Sequence, residues 1–204
     1  MKAVLQRDEL EVRLRPLKYA DRELVEKWLS DPYILKLTFV VSNPDGAQSL
    51  PFSKASLDHC LDLLIADKSR MTLAIMVNEH HVGNLGLKEY HPGGKSGELF
   101  IEIGESEYRG VGIGKVSIAI LLDYVFFTLG LDEMKLEVLE FNSVAMHVYE
   151  QLGFSKTNQT GFHYDENKRA WQVWGMKLLK ERWRLCRCQL SIPTQVVVTP
   201  LTEF

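Results

Sequence analysis

The chain has 204 residues, 46% of them hydrophobic and 25% charged, which is ordinary for a soluble globular protein. That length suffices to bury a core without disulfide or metal staples, and one domain, with at most an extension, is expected. A net charge of −3 gives no global electrostatic case for nucleic acid or a membrane surface as partner.

In chain order, residues 10–17 alternate apolar and polar side chains, as a half-buried strand does. Pro16 ends it, and residues 20–29 place Leu24, Val25, Trp28 and Leu29 on one helical face. Asp31-Pro32 is expected to stop that helix. Residues 38–51 are rich in turn formers and read as a mobile loop. A second helix over 54–66 carries Leu57, Leu61, Leu64 and Ile65 at helical spacing, with Ser53 as its cap.

The texture then changes to strands. Residues 71–77 and 82–90 are strand-like and joined by the polar turn Asn78-Glu79-His80-His81. After the turn around Gly93 and Gly94, residues 97–103 should pair antiparallel with the strand before them. Residues 115–129 form a long apolar helix closed by Gly130. Strands are expected over 135–139, 154–158 and 171–178, and a helix over 143–152 with Asn142 at its cap and Gly153 at its end. Hairpins first and crossover helices later imply an α/β fold, a mixed and mostly antiparallel sheet of about seven strands flanked by about four helices.

The chemistry-bearing feature is Arg109-Gly110-Val111-Gly112-Ile113-Gly114-Lys115, set between an apolar strand and an apolar helix. Glycines let backbone N–H groups approach a ligand, and the helix N-terminus adds partial positive charge, so the loop reads as an anion site, with a glycine-rich turn that holds no ligand as the alternative. Lys115 adds a point charge. A P-loop is excluded because Val116 follows Lys115 and no glycine stands at 109. A dinucleotide fingerprint is excluded because its third glycine position is Lys115.

Arg109, Gly112 and Gly114 resemble motif A of the GCN5-related N-acetyltransferase (GNAT) superfamily. The run Asn142 to Phe154, with Asn142, Ala145, Tyr149 and then Leu152-Gly153-Phe154, resembles its motif B. Leu14-Arg15-Pro16-Leu17, Trp28-Leu29 and Asp31-Pro32 are similar to the branch holding ribosomal-protein alanine and spermidine acetyltransferases. The resemblance implies a domain over residues 1–180, with 181–204 an extension of unknown role. It implies an acetyl-CoA-dependent N-acetyltransferase that moves acetyl directly to a primary amine in a ternary complex, the acceptor being a protein N-terminus or a small amine or polyamine.

Residue by residue, the resemblance implies that amides from Arg109 through Gly110, Val111, Gly112, Ile113 and Gly114 to Lys115 hold the pyrophosphate. The strand bearing Ile101 and Ile103 would splay from its neighbour and pair with the pantetheine arm, which Asn142 would also bond. Tyr149 matches the general acid. For the base, Glu98 and Glu102 share one strand face, and Glu98, which occupies the place where relatives often carry a glutamate, is the expected base, with Glu102 the second candidate. Asp31 and Tyr33 belong to the variable region expected to choose the acceptor.

Other features carry less. His80 and His81 read as exposed turn residues, and His147 points away from Tyr149. Cys186 and Cys188 lack the partners of a zinc or redox set, and three cysteines in all fit a reducing compartment. Lys180 to Arg187 reads as a solvated basic segment, and residues 195–198 could add an edge strand. No apolar run reaches a membrane span, since Asp123 interrupts the longest, over 116–131. Met1-Lys2 leads into charge rather than a signal sequence. The expected setting is cytoplasmic, with no metal, no membrane and no direct nucleic-acid partner, and with a homodimer open. The rival readings are a non-catalytic acyl-CoA sensor and an interaction module.

Overall fold

A computed structural model describes residues 10–37, 54–91, 93–164 and 169–190. The strand-like segments become seven strands: β1 (Val12–Pro16), β2 (Met71–Val77), β3 (His80–Lys88), β4 (Ser96–Ile103), β5 (Glu133–Leu139), β6 (Ser155–Tyr164) and β7 (Ala170–Leu179). They join in one sheet of order β1-β2-β3-β4-β5-β7-β6. Every neighbouring pair is antiparallel except β4 and β5. The expected mixed, mostly antiparallel sheet is present.

The four expected helices are α1 (Arg22–Leu29), α3 (Lys54–Ala66), α4 (Ile113–Asp123) and α5 (Ser143–Gln151); α2 (Pro32–Leu37) and α6 (Lys180–Arg187) join them. Helices α4 and α5 cover one sheet face: Leu73, Ile75, Leu85 and Leu99 pack there with Ile118, Leu121, Leu122 and Tyr149. On the other face Val25, Leu29 and Leu61 of α1 and α3 pack over Ala74. Strand β2 is therefore apolar on both sides, which is why its sequence reads as a run rather than an alternation.

Four expectations change. Asp31-Pro32 does not only stop α1; it starts α2. Proline suits the first helical position, where its missing N–H costs nothing, and Asp31 Oδ1 accepts from the Tyr33 N–H at 2.8 Å. The turn expected over 78–81 is tighter, because Asn78 adopts a left-handed φ of 51° and β3 begins at His80. His81 is thereby drawn into the strand and is buried, not exposed as its place in a turn suggested.

The long apolar helix is α4 followed by a π-turn over Tyr124–Thr128, in which Leu129 N–H donates to Tyr124 O at 3.0 Å. Last, residues 180–187 are not a solvated segment but α6. Trp183 is fully buried in the main core, and its Nε1–H donates to Asp123 Oδ1 at 2.9 Å. Arg187 Nε lies 2.6 Å from the same oxygen. Asp123, the interruption in the apolar run, is thus the anchor of α6, which packs on the main core through Trp183. Among the described residues no helix is long and apolar enough to cross a membrane. Ser53, the loop over 38–51 and residues 195–198 lie outside the described residues.

Candidate active site

Strands β4 and β5 pair over three rungs only, from Ser96↔Glu133 to Glu98↔Lys135. Beyond them β4 stays on β3 up to Ile103, while β5 stays on β7 up to Leu139. The two strands part into a fork whose walls are backbone edges lacking a strand partner, and such edges attract an extended ligand. Side-chain packing explains the parting. Trp28 of α1 lies flat under Gly104, where a Cβ would fall 2.1 Å from the indole, and its Nε1–H donates to Glu105 at 2.9 Å. The end of β4 is held towards α1. The end of β5 is held the other way, by the Gln172 N–H donating to Glu140 Oε1 at 2.8 Å and by Phe141 edge-on to Trp171 at 4.8 Å.

The glycine loop stands at the mouth of this fork. Gly110 and Gly112 take φ of 74° and 93°, and Gly112 is the N-cap of α4, with no side chain capping the helix. A Cβ built at either would meet nothing within 4 Å, so both glycines border open space. The first-turn amides of an eleven-residue helix face that space with the helix dipole behind them. Gly114 plays another part: a Cβ there would lie 3.7 Å from Ile101 and 3.8 Å from Ile103, so α4 sits close on β4. Lys115 extends to Gln151 of α5, with Nζ 2.9 Å from Oε1, and Gln151 reaches His147 at 2.8 Å.

Arg109 turns inward. Its Nε–H donates to Ile103 O at 2.8 Å and its Nη2 to Gly104 O at 2.5 Å, while Asp31 Oδ2 lies 3.2 Å away and the Tyr33 ring 4.6 Å below the guanidinium. Its side chain therefore clamps the end of β4 and binds Asp31 and Tyr33 into a brace. Although burial works against it, bonds from Tyr33 N–H and Arg109 hold the Asp31 carboxyl below its usual range. Tyr33 leaves about half its surface open to solvent.

The two candidate bases separate. Glu98 sits on the last paired rung, opposite Lys88, whose Nζ lies 2.5 Å from its Oε1. It is below the fork and its charge is matched. Glu102 lies within the fork, on the face towards α1, and its Oε1 accepts from Asn84 Nδ2 at 2.8 Å. Burial pushes its carboxyl up, against the pull of that one bond. Behind Asn84 lies His81, whose Nε2 is 3.0 Å from Asn84 Oδ1, with Trp28 edge-on to its ring at 4.9 Å.

The register also brings Glu137 to the opposite wall. Its neighbours Leu136 and Val138 point into the core, so Glu137 shares the face of Glu102. Alternation over 133–139 carried that signal, which the strand assignment alone did not use.

Tyr149 is buried on α5 and packs edge-on to Phe154 at 5.9 Å; burial pushes its phenol up to about 12. Asn142 caps α5, its Oδ1 accepting from Ala145 N–H at 3.3 Å. Cys60, Cys186 and Cys188 are free thiols, and among the described residues no three His, Cys, Asp or Glu side chains gather as a metal site would require.

Residues 11–155 match the acetyltransferase (GNAT) domain family, and the chain belongs to it. Spermidine N(1)-acetyltransferase of Escherichia coli K12 is 28% identical over 144 residues, 71% of this chain and 73% of that protein. The spermidine N-acetyltransferase of Vibrio cholerae, solved with CoA and spermine, superposes with a TM-score of 0.72 at 23% identity, covering 85% of this chain and 98% of that one. A domain from Methanocaldococcus jannaschii gives 0.64 at 21%, over 83% and 100%. This chain is an acetyl-CoA-dependent N-acetyltransferase that acetylates an amine.

Proposed function

We propose that acetyl transfer takes place in the β4–β5 fork, by direct attack of a primary amine in a ternary complex. The observation that carries this is the conjunction, at one fork, of a glycine-rich helix start and a half-buried carboxylate raised by burial. Acetyl-CoA brings the activated acyl group as a thioester. For its pyrophosphate, the amides of Gly110, Val111, Gly112, Ile113 and Gly114, with those of Arg109 and Lys115 at the ends, supply donors at a helix N-terminus. Open space at Gly110 and Gly112, which a Cβ would fill, supports the fit. The edges bearing Ile101 and Ile103, and the side-chain amide of Asn142, suit the pantetheine arm.

Glu102 is the base in this reading and Glu98 supports the strand. A carboxylate in poor solvent holds a proton more strongly, which suits it to take one from an ammonium, directly or through one water. Tyr149 remains a neutral phenol through the physiological range and so keeps a proton to offer the departing sulfur. With its pKa about 12 against about 8.5 for a thiol, full transfer to the thiolate is uphill even once the carbon–sulfur bond has broken, so the phenol stabilises the departing sulfur chiefly as a hydrogen-bond donor.

The acceptor proposed first is a polyamine, because the relatives named above acetylate spermidine; a protein N-terminal amine is the second choice. Asp31 and Tyr33 shape its entrance as a brace rather than as a free anionic site. Free thiols and a small-molecule thioester substrate fit a cytoplasmic setting. Thiol release from acetyl-CoA, measured with spermidine and with an alanine-initiated peptide, tests the reading. Turnover with either that falls a hundredfold in Glu102→Gln but not in Glu98→Gln supports it; the reverse order refutes it.

A further inference from the structure

Behind Glu102, beneath α1, lies a line of buried and half-buried polar groups that the reaction as described leaves unused. Arg15 grips both oxygens of Asp21 at 2.7 and 2.6 Å; Asp21 Oδ1 stands 3.5 Å from His81 Nδ1; His81 Nε2 reaches Asn84, and Asn84 reaches Glu102. His81 is 8% exposed and Asn84 1%. Burial of polar groups at this density is expensive unless each bond is directed, and here one backbone carbonyl directs them all.

That carbonyl is Gly83 O, 3.0 Å from His81 Nε2. A carbonyl only accepts, so Nε2 carries the proton. The Asn84 atom beside Nε2 must then be its oxygen, which turns the Asn84 amide nitrogen to Glu102. Nε2–H thus donates to both Gly83 O and Asn84 Oδ1, and Asn84 Nδ2–H donates to Glu102 Oε1 at 2.8 Å. Burial favours the neutral imidazole against the pull of Asp21, whose Oδ1 stands 3.5 Å from Nδ1, and Nδ1 makes no hydrogen bond among the described residues. Trp28 edge-on to the ring keeps it from turning.

We propose that His81 is a positioning residue for acetyl transfer: through Asn84 it fixes Oε1 of Glu102 as an acceptor and leaves Oε2 as the oxygen that takes the amine's proton. The ammonium N–H bond breaks, its electron pair stays on nitrogen for attack on the acyl carbon, and the proton forms an O–H bond at Oε2. This rests on Glu102 being the base. Without the relay, Asn84 can turn its oxygen to Glu102, and the carboxyl loses its fixed orientation.

A double-mutant cycle tests it, reading thiol release from acetyl-CoA with spermidine and, as a second acceptor, an alanine-initiated peptide. His81→Phe keeps a flat ring against Trp28 and deletes the Nε2–H. In the wild-type background its kcat should fall about tenfold, with the KM for acetyl-CoA unchanged. In a Glu102→Gln background it should cause no further fall. An equal fall in both backgrounds would show a merely structural histidine and overturn the proposal, as would wild-type kcat in His81→Phe alongside an impaired Glu102→Gln. Wild-type kcat in Glu102→Gln itself would instead remove the base assignment and the relay with it. If His81→Phe does not fold, Asn84→Ser completes the same cycle with the same outcomes.

Discussion

Replacing Gly112 by alanine separates the cost of a strained backbone from the loss of a ligand site. Gly112 has φ of 93°, and a Cβ there meets no atom within 4 Å. The penalty to folding is therefore conformational, about 1–2 kcal/mol for a side chain in the left-handed region. In a domain of this size that lowers Tm by about 2–8 °C. The same methyl enters the space that the first-turn amides of α4 face. One charge-assisted hydrogen bond lost there is about 1.5–3 kcal/mol, a weakening of CoA binding by about tenfold to a hundredfold. Gly130 is the matched control: its φ is 76°, a Cβ there also meets nothing within 4 Å, and it lies at the far end of α4. Gly130→Ala should lose similar Tm and keep CoA affinity. Thermal melts and isothermal titration with CoA on both variants decide the matter. If Gly112→Ala weakens CoA binding no more than Gly130→Ala does, the loop is a turn and the anion-site reasoning is refuted.

Glu102→Gln should be more stable than wild type at neutral pH even as kcat falls. The raised carboxyl contributes stability below its unfolded pKa of about 4.3, and that contribution is lost as pH rises through the folded value. The variant's advantage in urea melts should grow from pH 5 to pH 8; an advantage constant with pH would contradict this. Trp183→Ala empties a fully buried site and breaks the bond to Asp123, so it should cost about 3–5 kcal/mol, read by urea denaturation. A loss below about 1 kcal/mol would mean that α6 is dispensable. Arg109→Lys keeps the charge but cannot supply the fork to Ile103 O and Gly104 O, and should cost about 1–3 kcal/mol at any salt concentration. Recovery of the loss at low salt would point to charge alone.

The sheet was legible because strands such as β1 and β5 write their burial as alternation, β2 as a short apolar run, and its hairpins fall at turn residues. Helices α1, α3, α4 and α5 were legible from apolar spacing and from Gly130 and Gly153. What was not legible depended on backbone geometry and contacts that a linear pattern does not show. Asp31-Pro32 reads locally as a stop; only the Asp31 carboxylate on the Tyr33 N–H shows that a second helix begins there. His81 reads as a turn residue until Asn78 takes a positive φ and shortens the turn by two residues. Trp183 sits among charges, and its burial follows from Asp123, sixty residues earlier.

The site shows the same division. The glycine loop is a local device, since helix dipole and free amides come from consecutive residues, and so its spacing could be read directly. The choice between Glu98 and Glu102 is not local. Both lie on one strand face, four residues apart, with the same intrinsic acidity. Lys88 on β3 matches the charge of the first, and the parting of β4 from β5 begins just after it. Asn84, four residues before Lys88 on the same strand, gives the second a single neutral donor and no counter-charge. One neighbouring strand thus gives one glutamate an ion-pair partner and the other only a neutral donor, with its carboxyl pushed up by burial. Arg109 extends the point. The residue that opens the glycine motif spends its side chain on Ile103, Gly104, Asp31 and Tyr33, so the glycine loop, the end of β4 and the start of α2 are fastened by one guanidinium. Loss of Asp31 or Tyr33 would therefore remove a partner of the side chain that holds the end of β4.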